Sequence, residues 1–308
     1  MAIYMNVVSH RFKDKVCIVT GGAKGIGAAI AMRLGVEGCL TVIFDIDQYA
    51  GEYRVREFSE KGIKAVFYKV DVSREDEVSS AVEDVYRRYN KINVLINNAG
   101  IGFSGKSLEE QTFEEWMRVI NTNLTGPWLC SKHVIKYMKK SGGVIINISS
   151  TRAIQSEPNT EPYSASKGGL LALTHAMAIS LSKYKIRVIA VSPGWVDTSL
   201  WQIPPKKPEL TNLDHMWHPA GRVGRPEDIA SLIAFLASEE AEWITGVNII
   251  IDGGVSIRMI YPDEEMLKYM ISILLEDASA GELIISLIRK IREKKEVLDL
   301  IKNILSNT

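Results

Sequence analysis

Short apolar runs separated by helical patterns recur along most of this chain, and that alternation admits few architectures. Val16–Thr20, Leu40–Phe44, Ala65–Val70, Ile92–Ile96, Val144–Ile148, Arg187–Val191 and Val247–Ile251 read as strands. Helical patterns fill the intervals: from a glycine-rich turn to Leu34, then Tyr49–Lys61, Glu75–Tyr89, a long region Phe113–Lys139, Gly168–Leu181 and Ile229–Leu236. Strands joined through helices require right-handed crossovers and hence a parallel sheet covered on both faces. The expected fold is α/β, a doubly wound parallel sheet of the Rossmann type. Such sheets bind ligands beyond the carboxyl ends of their strands. Thr20, Asp45, Asp71, Asn97 and the pair Ser149–Ser150 all fall there. One polar residue at a strand end is routine, but five such positions on one sheet edge make a candidate site.

The first strand runs directly into Thr20-Gly21-Gly22-Ala23-Lys24-Gly25-Ile26-Gly27, and a helix follows. A glycine cluster alone is a weak signal, because turns use glycine in any case. Strand, glycine turn and helix together let the backbone approach a pyrophosphate and offer it a helix N-terminus. The second strand ends at Asp45, about twenty positions on, where a carboxylate can accept hydrogen bonds from ribose hydroxyls. It would also repel a 2′-phosphate, which favours NAD over NADP. Lys24 argues the other way, since a cation in this loop could pair with that phosphate. The carboxylate at the ribose position is the more direct discriminator, so NAD is the expected cofactor, with NADP possible.

A second concentration of chemistry is Ser149–Lys167, in which Tyr163 and Lys167 lie four residues apart on one helix face. A phenol with a pKa near ~10 is a poor acid or base at neutral pH. A neighbouring ammonium favours the phenolate and lowers that value, as a proton donor to a carbonyl oxygen requires. A Tyr-x-x-x-Lys pair occurs by chance in a chain with eleven tyrosines. The serine pair closing the preceding strand and the glycine turn lift it above that level.

Composition closes off other classes. Thirty-seven basic and thirty-seven acidic residues cancel, which gives no support for a nucleic-acid partner. Cys17, Cys39 and Cys130 are widely spaced in apolar surroundings and read as small core residues, with no disulfide or zinc framework. His215 and His218 form an H-x-x-H without a third suitable ligand, so no metal is expected. No apolar run approaches the ~20 residues of a membrane span. Met1–Val8 lacks the layout of a signal peptide, so the cytoplasm is the expected compartment.

The pieces TGGAKGIG, FDID, the Asp71 of KVDVS, NNAG, NTNLTG, INISS, YSASK, SPGWVDT and ITGVNIIIDGG occur in that order between Phe12 and Ile257. In this series the chain resembles the short-chain dehydrogenase/reductase family. The resemblance implies a catalytic set of Asn123, Ser150, Tyr163 and Lys167. Ser150 is preferred to Ser149 because the family's serine lies thirteen positions before its tyrosine, and Asn123 to Asn121 because the family's asparagine precedes L-x-G. Ser149 then reads as an inward hydroxyl satisfied by backbone. The implied cofactor wall comprises Gly21, Lys24, Gly25, Ile26, Gly27, Asp45, Asp71, Val72, Asn98, Gly100, Tyr163, Lys167, Pro193, Gly194, Val196 and Thr198. Within it Asp71 would contact adenine and Thr198 the nicotinamide amide, while Asn97 and Gly100 support the sheet edge.

The implied reaction is hydride transfer between a nicotinamide and a secondary alcohol or carbonyl, with sugars and polyols favoured as substrates. Tyr163 would exchange the proton, Ser150 position the oxygen, Lys167 lower the tyrosine pKa and hold the ribose, and Asn123 hold a relay water. A 3-oxoacyl thioester reductase is the alternative, and a non-catalytic nucleotide-sensing protein on the same fold is a more distant one. The resemblance also implies a homo-oligomer, a tetramer, acting on a small molecule with no nucleic acid or membrane as partner.

Two regions vary. The segment 195–220 is expected to be the substrate loop, and it carries Trp195, Trp201 and Trp217, three of the six tryptophans. These could line a cleft or merely pack on the body. Residues 1–257 would form the oxidoreductase domain, and 258–308 a helical extension beyond the family pattern. Leu267, Met270, Ile271, Leu274 and Leu275 form one apolar stripe, and Ile284, Leu287, Ile288, Ile291, Leu298, Ile301 and Leu305 a second, after a Ser279/Glu282 capping pair. A hairpin of this kind must bury its apolar face, more readily across a subunit boundary than on its own body.

Overall fold

The computed structural model describes residues 10–259 and, beyond them, residues 266, 269 and 270. Seven strands, β1 Val16–Thr20, β2 Leu40–Asp45, β3 Ala65–Lys69, β4 Val94–Asn97, β5 Gly143–Ile148, β6 Ile186–Pro193 and β7 Asn248–Ile251, form one sheet. Its order is β3-β2-β1-β4-β5-β6-β7, and every neighbouring pair is parallel. The helices are α1 Gly25–Val36, α2 Gln48–Glu60, α3 Glu75–Tyr89, α4 Phe113–Ile120, α5 Gly126–Met138, α6 Glu161–Leu181, α7 Asn212–Met216 and α8 Pro226–Ala237.

The unbroken apolar character of the strands follows from burial on both faces. In β1, Val16 and Ile18 join one buried cluster, while Cys17 and Val19 join the other. In β5, Ile145 faces the first cluster and Val144, Ile146 and Ile148 the second. Ile30 and Leu34 of α1, Phe58 of α2 and Ile233 and Leu236 of α8 cover one face. Val78, Val82 and Val85 of α3 and Leu129 and Val134 of α5 cover the other. All three cysteines are free and buried within these clusters, as small core residues. Because β1 has β2 on one side and β4 on the other, the strand order reverses between β1 and β4, which opens a crevice at their carboxyl ends.

The long helical region from Phe113 is divided. Thr112 opens α4 with a capping box to Glu115, and a π-helical turn at Asn121–Thr125 separates α4 from α5. Pro127 supplies a physical reason. It has no N–H to donate to the Asn123 carbonyl four residues earlier, so the regular ladder is interrupted there. α6 begins at Glu161 with Pro162 in its first turn, so Tyr163 and Lys167 both sit near its N-terminus.

Of the described residues, those up to Glu209 together with Val223–Ser256 form one compact unit containing the whole sheet. Leu210–Arg222 and the described residues from Ile257 on form another. Within this second unit Thr211 caps α7 reciprocally with Asp214, and Arg258 donates to the Met216 carbonyl at 2.5 Å. The two apolar stripes expected in the extension, Met270 apart, lie outside the described residues.

Candidate active site

At the end of β1, Gly21 adopts φ +60°, a left-handed conformation that glycine tolerates best. A Cβ at Gly27 would lie 2.2 Å from the Gly21 carbonyl oxygen and 2.4 Å from Asn98 Nδ2, so only glycine allows α1 to start this close to the turn. The turn is stitched to the end of β4. Thr20 Oγ1 accepts from the Asn98 and Ala99 amides at 3.0 Å each, and Asn98 Nδ2 donates to the Thr20 and Gly21 carbonyls at 3.0 and 3.2 Å. Lys24, the N-cap of α1, makes no side-chain cap bond, and the first turn holds no acidic residue. The N-terminus of a twelve-residue helix therefore points its open amides into the crevice. This glycine cradle and uncapped helix end fit a dinucleotide pyrophosphate.

Asp45 closes β2 with its carboxylate turned toward that turn, accepting from the Ala23 and Asp47 amides at 3.1 Å each. Burial pushes its pKa up, and those two backbone bonds and Lys24 pull it back. Lys24 Nζ pairs with Asp47 Oδ2 at 2.8 Å, in a partly exposed contact. Asp71 accepts from the Ser73 amide and hydroxyl at 2.9 and 2.7 Å, beside the buried Val72.

β5 and α6 bring the second group together. Ser150 follows β5 as the cap of the 3₁₀ turn Thr151–Ala153, and its Oγ accepts from the Arg152 amide at 3.2 Å. Ser149 points inward and donates to the Lys167 carbonyl at 3.0 Å, the inward role expected for it. Lys167 is buried, donates from Nζ to the Ile148 carbonyl at 2.8 Å and lies 5.5 Å from the Tyr163 ring centroid. Gly100 is beside it, since a Cβ there would be 3.6 Å from Lys167 Nζ and 3.4 Å from Asn123 Oδ1.

Burial raises the Tyr163 pKa above that of an ordinary phenol, while the neighbouring Ser150 hydroxyl and the charge of Arg152 pull it down. Desolvation takes Lys167 down to about 8, so it keeps most of its charge at neutral pH, 5.5 Å from the Tyr163 ring centroid. Arg152, which sequence reasoning missed, is a second cation acting on the tyrosine.

Asn123 is fully buried, and both amide protons and its oxygen are engaged. Oδ1 accepts from the Ile101 amide at 2.8 Å, and Nδ2 donates to the Ile101 carbonyl and Ser166 Oγ at 3.0 and 3.2 Å. The Asn123 main-chain carbonyl, to which Pro127 offers no donor, is a further acceptor for a relay water.

Beyond β6, Pro193 and Gly194 lead past β7, where the Gly194 amide donates to Ile251 at 3.0 Å, and Val196 forms a bridge with Gly224. Thr198 sits over the glycine turn, 3.6 Å from where a Cβ on Gly25 would lie. Trp201 packs on the body: its indole N–H reaches Glu227 at 2.9 Å, and the Arg54 guanidinium lies 5.4 Å from its ring centroid. Trp195 is half-exposed, and Trp217 belongs to the second compact unit. Phe103, another residue that the motifs did not mark, tilts against Tyr163 with centroids 5.9 Å apart.

Comparison with known proteins agrees with this arrangement. The family model described as enoyl-(acyl carrier protein) reductase matches residues 21–256. The chain is 53% identical to an uncharacterized oxidoreductase of Thermotoga maritima over 255 residues, 82% of this chain and 99% of that protein. It is 38% identical to a 3-oxoacyl-[acyl-carrier-protein] reductase of the same organism, covering 80% of this chain and all of that one. A solved short-chain dehydrogenase/reductase of Serratia marcescens, in a mutant form, superimposes with a TM-score of 0.74 at 32% identity, over 80% of this chain and 100% of that one. With the parallel sheet, the glycine turn and the serine–tyrosine–lysine group in the order its motifs require, the chain belongs to the short-chain dehydrogenase/reductase family of NAD(P)-using oxidoreductases.

Proposed function

We propose that this oxidoreductase interconverts a secondary alcohol and its carbonyl with NAD as the preferred cofactor, using Tyr163 as its proton-transfer residue. The observation that carries this reading is the convergence of Ser150, Tyr163 and Lys167 beside the crevice that holds the glycine turn. When bound, the nicotinamide supplies the hydride acceptor or donor. In oxidation the Tyr163 phenolate takes the alcohol proton as the carbinol C–H departs as hydride; in reduction the phenol returns that proton to the oxygen. Ser150 hydrogen-bonds the same oxygen and fixes its position. Lys167, tethered through one donor to the Ile148 carbonyl, has further protons to offer ribose hydroxyls.

Gly21, Gly25, Ile26 and Gly27 would hold the pyrophosphate, Asp45 and Lys24 the adenosine ribose, and Asp71 and Val72 the adenine, with Asn98 and Gly100 supporting the floor. Pro193, Gly194, Val196 and Thr198 form the nicotinamide side. The preference for NAD rests on the Asp45 carboxylate, and the commitment of Lys24 to Asp47 supports it by occupying the cation otherwise available to a 2′-phosphate. Sugars and polyols are the first substrates to test. A 3-oxoacyl thioester is the second reading, favoured by the 38% identical reductase. A homo-oligomer is the assembly that the family resemblance implies. No helix among the described residues is long and apolar enough to cross a membrane. Turnover of NAD and NADP against secondary alcohols, sugars and 3-oxoacyl esters tests the reading. A purified enzyme that uses none of them with either cofactor contradicts it.

A further inference from the structure

Arg152 has no place in the proton chemistry above, yet its charge acts on Tyr163. It stands on the 3₁₀ turn Thr151–Ala153 that follows Ser150, and its amide donates to the Ser150 hydroxyl at 3.2 Å. The turn is thereby fixed to the group that would orient the reacting oxygen. The guanidinium is about one-quarter exposed, and its partner among the described residues is the Glu157 carboxylate, bound through Nη2. Nε and Nη1 carry further donors for which no described residue provides an acceptor. Glu157 is 64% exposed, so this ion pair stands largely in water, where such a pair contributes about 0–1 kcal/mol.

We propose that Arg152 recognises the substrate and narrows the sugar and polyol class to its acids: a hydroxy acid or oxo acid, carrying a carboxylate near the carbon that exchanges hydride. This inference rests on the reading of Ser150 and Tyr163 as the reacting pair. A planar guanidinium with unused donors matches a carboxylate in a bidentate fashion. Glu157 is an internal carboxylate already drawn to the same group, and its exposure lets it yield a face of the arginine at little cost. A neutral alcohol or thioester would leave this cation without a substrate partner. A carboxylate substrate would instead offset the positive charge beside the phenol while it is bound.

Hydroxy acids and carboxamides of the same carbon skeleton provide the test, with phosphate esters of the same skeleton as a third arm. Turnover with NAD is measured for the wild type, Arg152→Gln and Arg152→Lys, and the same compounds are titrated calorimetrically into the enzyme saturated with NADH. The wild type should favour the carboxylate over the amide at least tenfold, mainly through KM and with the same order in the titration. Arg152→Gln should abolish that preference, and Arg152→Lys should restore part of it. Equal use and equal binding of acid and amide by the wild type would overturn the inference, as would a preference that survives in Arg152→Gln. A phosphate ester preferred to the carboxylate would also overturn it. Each of these outcomes leaves the role of Tyr163 standing if neutral alcohols still turn over through it. If no alcohol turns over at all, the proton-transfer reading fails, while the titration still decides for or against Arg152.

Discussion

Gly27→Ala is the sharpest perturbation the cofactor turn offers. The added Cβ would lie 2.2 Å from the Gly21 oxygen, 2.4 Å from Asn98 Nδ2 and 2.9 Å from the Gly21 carbonyl carbon. A carbon–oxygen contact relaxes at about 3.3 Å or more, so the Gly21 peptide must retreat by about 1 Å. Gly21 is held by the bond from Asn98 Nδ2, which also reaches the Thr20 carbonyl, so the movement strains both contacts. Overpacking of this kind costs about 1–3 kcal/mol, and each weakened hydrogen bond adds about 0.5–1.5 kcal/mol. A total of about 2–6 kcal/mol corresponds to a melting temperature lower by at least about 4 °C. Distortion of the pyrophosphate cradle should weaken NADH binding at least about tenfold, equivalent to about 1.4 kcal/mol. Gly102→Ala is the control, because a Cβ there meets nothing within 4 Å. Thermal melting and calorimetric titration of NADH read both effects. A Gly27→Ala protein that melts and binds like Gly102→Ala would refute the close-approach argument.

Asp45→Ser should raise kcat/KM for NADP relative to NAD about tenfold by removing a charge repulsion, and steady-state kinetics with both cofactors will show it; a wild type already preferring NADP would contradict the ribose assignment. Lys167 is pushed down to about 8 in the folded chain from an ordinary 10.5, so the unfolded chain binds more protons between those values and stability gains from this group as pH rises through that window. Lys167→Met should therefore flatten the pH dependence of urea unfolding there by up to about 1.4 kcal/mol per pH unit, and an unchanged slope would contradict the shift. Ser150→Ala should lower kcat about a hundredfold with little loss of stability. Ser149→Ala should instead chiefly lower the melting temperature, since its hydroxyl serves the Lys167 carbonyl, and a reversal of the two effects would exchange their roles.

Much of this architecture was legible because a strand buried on both faces has to be apolar throughout. β1 and α3 occupy the spans their patterns predict, and the other strands shift only at their ends. The break in the helix after Ile120 was less visible: Asn121–Thr125 is compatible with helical spacing, and the missing Pro127 donor acts four residues before the proline itself. The motifs marked Ser150, Tyr163 and Lys167, and the fold assembles them. They did not convey how far burial lowers the Lys167 pKa, because desolvation depends on packing from distant segments. Arg152 went unmarked for a similar reason, since its reach toward Tyr163 follows from the 3₁₀ turn after β5. Phe103 meets Tyr163 only through the loop after β4, a pairing that no local spacing encodes.

The central claim is that Tyr163 exchanges the proton, and Tyr163→Phe tests it most directly. The substitution removes the hydroxyl while keeping the ring that packs against Phe103 and lies beside Lys167. Turnover of the best alcohol substrate with NAD should fall at least about a thousandfold, near the upper range for loss of a general acid–base group. NADH affinity, measured on the same preparation, should stay within a few-fold of wild type. A Tyr163→Phe enzyme that turns over like the wild type would contradict the account.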